Sequence, residues 1–456
     1  MRACDRPNEF VIFVLGSPKL GSLALSAGTK RQADAQGYDQ RGWRTQFGPA
    51  IAMKFASLAL SCLLTSASLP AYAADSLCDN LTAVIHAQSG SAEAVFIRSL
   101  APGDFETQLP PALASTAFTY DNAVAAIALI ACSDLSDALK IGRALSRASH
   151  SDRAFHDGRI RNAYRAGPAE DKTPVPPGWW DATRNLWSED WYQDGSYTGN
   201  TAWAALALLN LYQATNEVTF RDAAARLIDW VATNTVCSGF FCGGYDGYDD
   251  RQIRLPWIST EHNVDVAAAA EWLARSGAGA RFTKVAEQAR KVVSLAFLHD
   301  HFAIGITQDG TPASSEQYVL DVQLWPWMAL PDPPLDWRKA LTFAEEHLAV
   351  AGGFDFNGDR DGVWVEGTGQ AALAYRIVGN TARNRELVRS FATDLTPSGL
   401  LNATRVYVLS TGITRGTGPD APPMPIVYHR RPHLAATAWA ILAERGFNPF
   451  TGTFVK

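Results

Sequence analysis

From residue 74 onward the chain alternates two kinds of hydrophobic segment. Residues 200–212 (NTAWAALALLNLY) are apolar nearly all round and read as a buried helix. The next segment is amphipathic. Phe220, Ala223, Ala224, Leu227, Ile228 and Val231 fall on one helical face, with Arg221, Asp222, Arg226 and Asp229 on the other. Phe282, Val285, Ala286, Ala289, Val292, Val293 and Ala296 repeat that face. Inner helices therefore alternate with outer ones. Inner starts fall near Asp121, Asn200, His262, Val319, Glu366 and His433, and outer starts near Leu135, Thr219, Phe282, Trp337 and Asn384. Spacings of roughly 45 to 80 residues leave room for two helices and a loop each.

The sixth inner helix runs almost straight into the C-terminus, so a helix around residues 81–88 supplies its outer partner and closes a ring. The expected fold is all-α, an (α/α)6 toroid of six helical hairpins. Glycines after the outer helices (Gly243-Gly244, Gly305, Gly352-Gly353, Gly399) suit helix ends, and the short apolar pieces beside them suit small β-hairpins at one rim. An open solenoid would not need the long irregular loop over residues 166–198.

The first 73 residues stand apart. Met53-Lys54, the apolar run 55–64 and Ala71-Tyr72-Ala73 have the layout of a secretory signal peptide over residues 53–73, cleaved before Ala74. The run is too short for a permanent anchor. Residues 1–52 show no helical or strand period and read as an N-terminal extension, with Met53 the initiator; residues 74–456 form a single domain. Removing 1–73 takes 8 of 40 basic and 4 of 46 acidic residues, leaving 32 and 42 and a formal charge of −10. A surface that acidic repels nucleic acid and anionic membranes, so neither is an expected partner. The expected location is the periplasm or the medium, and the expected state is a monomer. Four cysteines remain, an even number in an oxidising compartment. Cys237 and Cys242 enclose four residues and staple a turn, which leaves Cys78 to pair with Cys132.

In such a ring the inner-helix N-termini point into one cleft. The polar residues there are Asp121 and Asn122; Asp194, Asn200 and Thr201; Glu261, His262, Asn263 and Asp265; Asp321 and Gln323; Glu366 and Gln370; and His433. Any one alone reads as a helix cap. Their convergence from at least four hairpins points to chemistry. Of 14 tryptophans, 13 lie beyond residue 74, so a large core or flat stacking surfaces must hold them. Trp179, Trp180, Trp187, Trp191 and Tyr192 crowd the long loop beside Asp194, while Trp257, Trp325, Trp327 and Trp364 lie near other helix starts. Indole faces stack on sugar C–H faces, and Asp, Asn and Gln pair with hydroxyls. Trp203 and Trp272, mid-helix, fit core.

Glycoside hydrolysis needs a carboxylic acid and a second carboxylate. The candidates are Glu261, Asp194, Glu366 and Asp321, with Glu261 beside Trp257 as the acid and Asp194 or Glu366 as the base. Substrate contacts are expected from His262, Asn263, Asp265, Trp191, Tyr245, Gln323, Trp325, Trp364 and His433. Asp355, Asn357, Asp359, Asp361 and Glu366 also follow the ligand rhythm of a calcium loop, although Arg360 stands where such loops carry glycine. The blander reading, an acidic turn at the cleft rim, is preferred, and neither metal nor cofactor is expected. No HExxH, phosphate-binding loop, GxSxG or paired CxxC occurs in the mature chain.

The helix-start residues resemble the six-hairpin glycosidase superfamily. Thr260-Glu261-His262-Asn263-x-Asp265, Leu320-Asp321-x-Gln323-x-Trp325, Trp364-x-Glu366-Gly367-Thr368 and Ala436-Thr437-Ala438-Trp439 followed by Asn448-Pro449-Phe450 are similar to phrases in exported bacterial proteins without a firmly assigned activity. The resemblance implies a poly- or oligosaccharide in an open groove and transfers no catalytic identities. The expected function is thus an exported glycoside hydrolase. One alternative is a polysaccharide lyase using His262, Asn263 and Tyr245, Tyr248 or Tyr428, with Arg405, Arg430 and Arg431 neutralising a uronate. Others are an epimerase using His262 with His429 or His433, and a non-catalytic glycan-binding protein of polysaccharide secretion.

Overall fold

The computed structural model describes residues 74–455, apart from 170–172, 314–316, 417 and 419–421. The extension and signal peptide read over residues 1–73 lie outside the described residues. The inner helices are α2 (Thr119–Ala131), α4 (Thr198–Thr215), α6 (Thr260–Arg275), α8 (Leu320–Ala329), α10 (Val365–Ile377) and α12 (Leu434–Arg445). The outer helices are α1 (Ala74–Ser89), α3 (Leu135–Ala148), α5 (Val218–Asn234), α7 (Arg281–Ala296), α9 (Lys339–His347) and α11 (Thr381–Ser390). Each inner helix packs on the next, and α12 packs back on α2 while α1 covers α12. The ring is closed, an (α/α)6 toroid, with the N-terminal helix serving as the sixth outer partner.

Local chemistry accounts for the two helix kinds. Nearly all of α4 is buried, as its apolar circumference requires, whereas α3 buries one stripe, Ala138, Ile141, Ala144, Leu145 and Ala148, together with Asp137 and Gly142. Side-chain caps start several helices: Asp134 accepts from the Asp137 amide, Ser259 from His262 and Asn380 from Arg383. Left-handed Asn216 and Gly446 end α4 and α12.

A sixfold stitch holds the ring together. The first N–H of each inner helix has no partner within its own helix. Here Thr119, Thr198, Thr260, Leu320, Val365 and Leu434 donate to carbonyls of Asn162, Gly243, Ile304, Phe356, Ala403 and Ser99, each in the rim segment of the following hairpin, at 2.9–3.1 Å. The fourth residue of an inner helix then grips the rim segment that leads into it. Asn122 and Gln323 each bond both the N–H and the C=O of one residue, Ile97 and Phe302. Asn263 donates to the Phe241 carbonyl, while Thr368 and Thr437 accept from the amides of Phe354 and Leu401.

All strands are short antiparallel pairs, apart from a three-stranded sheet of Ser196–Tyr197, Gly244–Tyr248 and Arg251–Leu255. The longest pair joins Val408–Gly416 to Pro423–His429, with Val408 opposite His429 and a register shift between Ser410 and Thr414. Disulfides join Cys78 to Cys132 and Cys237 to Cys242, the pairing expected of an oxidising compartment. Among the described residues no helix is long and apolar enough to cross a membrane.

Candidate active site

The second and sixth residues of a helix lie on one face, one turn apart. On the six inner helices the second residues are Tyr120, Gly199, Glu261, Asp321, Glu366 and Ala435, and the sixth are Val124, Trp203, Asp265, Trp325, Gln370 and Trp439. The sixth residues make the cleft floor. Trp203, Trp325 and Trp439 form a triangle with ring centroids 5.3, 5.7 and 6.0 Å apart. Above that floor, Glu261, Asp321 and Glu366 are buried at 5%, 1% and 1% exposure, with Asp121 and Asp265 equally enclosed.

Glu366 is the best-held carboxylate. The Tyr120 hydroxyl donates to its Oε1 at 2.5 Å, Gln370 donates at 3.4 Å, and His433 Nδ1 stands 3.8 Å from Oε2. The indole N–H groups of Trp439 and Trp325 fix Tyr120 and Gln370 from the floor, at 2.8 and 3.1 Å. Burial pushes Glu366 up to about 7, against the pull of His433 and the Tyr120 hydroxyl. His433 also meets Asp121 at 3.2 Å. Burial opposes its charge, but Asp121 and Glu366 outweigh that, and it titrates above its ordinary value.

Glu261 has the opposite surroundings. Burial raises it well above the usual carboxylate range, and Asp321, Asp265 and Glu366 add to the shift. Its surroundings favour the neutral carboxyl over the carboxylate. Burial likewise brings Asp321 to about 7, partly offset by the Val322 amide at 2.6 Å. Asp265, one turn below Glu261, is raised well above its ordinary value by burial and Asp321. The Trp203 indole N–H lies near it without reaching hydrogen-bond geometry. Glu261 is thus surrounded by other carboxylates, whereas Glu366 has a histidine and a hydroxyl donor beside it, the kind of contrast that acid–base pairs use.

The other expected site residues divide. His262, Asp265, Trp325 and His433 join the cleft, with the His262 ring 5.1 Å from Trp257. A Cβ on Gly199 would come within 2.5 Å of His262 Cδ2, so α4 needs glycine there. Asn263 and Gln323 are occupied in gripping rim backbone. Trp364 is fully buried against Phe356 and Tyr428. Tyr245 bonds the Asn234 carbonyl, and Trp191 packs edge-on against Tyr248.

Asp194 is not brought together with Glu261 and Glu366. It sits in a rim network where Arg153 reaches Glu189 at 2.6 Å, Asp249 at 2.6 Å and Asp194 at 3.4 Å. Burial and Glu189 lift it to about 9. A cavity of about 430 Å³ opens beside that network, lined by Arg153, Trp187, Glu189 and Tyr248. It lies at the rim, away from the buried carboxylates.

Sequence reasoning gave no role to Tyr120, Trp439 or Arg415. Tyr120 is one residue before the noted Asp121, and Trp439 lies in a quoted phrase, but nothing in their spacing tied them to Glu366. Arg415 comes from the long hairpin and places its guanidinium 4.2 Å from the Tyr192 ring centroid. Tyr428 of the same hairpin is pushed well above its ordinary value by burial and by Glu366, Asp321, Asp121 and Glu261. The hairpin therefore borders the carboxylates at one end and reaches the second hairpin's loop at the other.

No family model matches the chain, and no curated protein matches it in sequence. Solved structures do match in fold. A glycosidase variant in complex with glucose aligns with a TM-score of 0.55 at 14% identity, covering 82% of this chain and 97% of that one. Cellobiose 2-epimerase from Bacillus thermoamylovorans aligns at 0.54 and 10% identity, over 81% and 100%. A sugar epimerase from a ruminal bacterium aligns at 0.56 and 11%, over 82% and 99%. The likeness is one of fold, spanning nearly the whole of each neighbour, and the fold neighbours include both glycosidases and sugar epimerases.

Proposed function

We propose that this chain is an exported glycoside hydrolase acting on a poly- or oligosaccharide in the central cleft. The observation that carries the reading is the contrast between Glu261 and Glu366. Glu261, whose burial among carboxylates favours its protonated form, serves as the acid that protonates the leaving glycosidic oxygen. Glu366, held by Tyr120 and beside His433, serves as the carboxylate that activates water or attacks the sugar carbon. Asp321 lies near both in the same layer. Export is supported by the two disulfides together with the leader expected from the sequence.

The lyase alternative has less support. The Asn263 Nδ2 is committed to backbone, and the arginines a lyase needs are paired: Arg405 with Asp394, Arg430 with Asp104 and Arg431 with Glu106. A second reading, epimerisation through His262 and His433, is favoured by the position of His433 in the cleft beside Glu366. It predicts an epimer with no new reducing ends.

The test is a saccharide panel on the chain from Ala74, read for reducing ends, ultraviolet absorbance and epimer formation, with Glu261→Gln alongside. New reducing ends that disappear in the variant support hydrolysis. Unsaturated product or a bare epimer overturns it in favour of the lyase or the epimerase. Sugar binding without product favours the non-catalytic alternative.

A further inference from the structure

The segment between α9 and α10 carries acidic groups that the proposed reaction does not use. Single carboxylate oxygens of Asp355, Asp359 and Asp361 lie within 4.8 Å of one another. Glu366, the twelfth position of the ligand rhythm, belongs to the cleft instead. Asp355 is fully buried, whereas Asp359 and Asp361 are exposed. Among the described residues no lysine or arginine forms an ion pair with any of the three. Apart from the Asn357 side chain, their donors are backbone amides: Phe356 and Gly362 for Asp355, Asp361 for Asp359, and Ser410 for Asp361. Arg360 points elsewhere, to the Ala349 carbonyl.

Asn357 supplies an independent observation. Its side chain reaches into the cluster, with Nδ2 3.2 Å from Asp359 Oδ2. The residue is 6% exposed, and its Oδ1 is buried without a partner. A buried amide oxygen costs about 1–3 kcal/mol when it is left unpaired. Three clustered carboxylates and the unsatisfied oxygen of an amide that touches them offer an all-oxygen set that suits a hard divalent cation, with water completing the shell.

We propose that Asp355, Asn357, Asp359 and Asp361 bind one calcium ion, which fixes the cleft rim. Each neighbour of the loop explains that consequence. Asn357 bridges to Val319 at the start of α8, which carries Asp321. The loop runs on through Trp364 into α10, which carries Glu366. The Ser410 amide on Asp361 ties in the long hairpin. A cation there braces three elements around the carboxylates without touching the substrate. The irregular shell and exposed outer ligands favour calcium over magnesium, which demands a near-octahedral shell.

The test uses the whole chain from Ala74, stripped with chelator and titrated with calcium chloride alone in a calorimeter, with melting followed in parallel. The expected result is one saturable site with a Kd of about 10⁻⁵–10⁻³ M and a melting temperature raised by roughly 2–5 °C at saturation. Asp359→Asn with Asp361→Asn changes two exposed groups. That variant is expected to melt in chelator like the parent and to lose both responses. Absence of heat and of a melting shift in the parent overturns the proposal, as does calcium binding that survives in the variant. An equal response to magnesium chloride overturns the assignment to calcium.

Discussion

Asp321→Asn should make the protein more stable at alkaline pH, and the size of the effect follows from burial. Asp321 titrates at about 7 in the folded chain and at about 3.9 when unfolded. Between those values the folded state holds a proton that the unfolded state has lost. Stability therefore falls as pH rises through this window. The contribution is fully present below pH ~4 and gone above pH ~7. From pH 5 to pH 8 the linkage amounts to about 2–3 kcal/mol for this group. Asparagine keeps the shape and the acceptor for the Val322 amide and cannot ionise. The wild-type melting temperature should accordingly drop between pH 5 and pH 8 by roughly 2–4 °C more than that of the variant. Scanning calorimetry on both proteins at the two pH values measures the difference. Equal drops would refute the placement of Asp321 as a buried, proton-holding carboxyl.

Other consequences can be checked alongside. Tyr120→Phe removes the hydroxyl that donates to Glu366, so the Glu366 pKa should rise and the ascending limb of a pH–rate profile should move to higher pH; an unmoved limb would separate Tyr120 from the base. Cys78 and Cys132 are 54 residues apart, so replacing both with alanine should cost about 4 kcal/mol by the chain-entropy relation, against about 2 kcal/mol for Cys237 and Cys242, and denaturant midpoints would show the order. Trp203→Ala opens the floor triangle and should cost about 3–5 kcal/mol with secondary structure retained in circular dichroism.

The ring was legible because its two helix kinds write different periods. All-round apolar segments such as residues 200–212 could only be inner helices, and the faces of α5 and α7 could only be outer ones. The apolar positions of α1 pack against α12 and close the ring. The carboxylates on α6, α8 and α10 were legible for a related reason: an acidic side chain in the first turn of a wholly buried helix faces the cleft. The fourth-position residues misled, since Asn263 and Gln323 look like sugar ligands and instead hold rim backbone. Asp194 was drawn toward the site by its aromatic neighbours. Its partners Arg153 and Arg161 lie in the loop some thirty to forty residues upstream, and no local pattern shows the network they build. Arg415 was invisible for the same reason, because only the long hairpin carries it to Tyr192.

The most direct measurement compares Glu261→Gln, Glu366→Gln and Asp194→Asn on the best substrate from the panel. If the buried cleft carries the chemistry, the first two lose about 10²–10⁴-fold in turnover, while Asp194→Asn stays within a few-fold of the parent. Loss on Asp194→Asn with activity retained in Glu261→Gln would contradict the cleft assignment and move the chemistry to the rim.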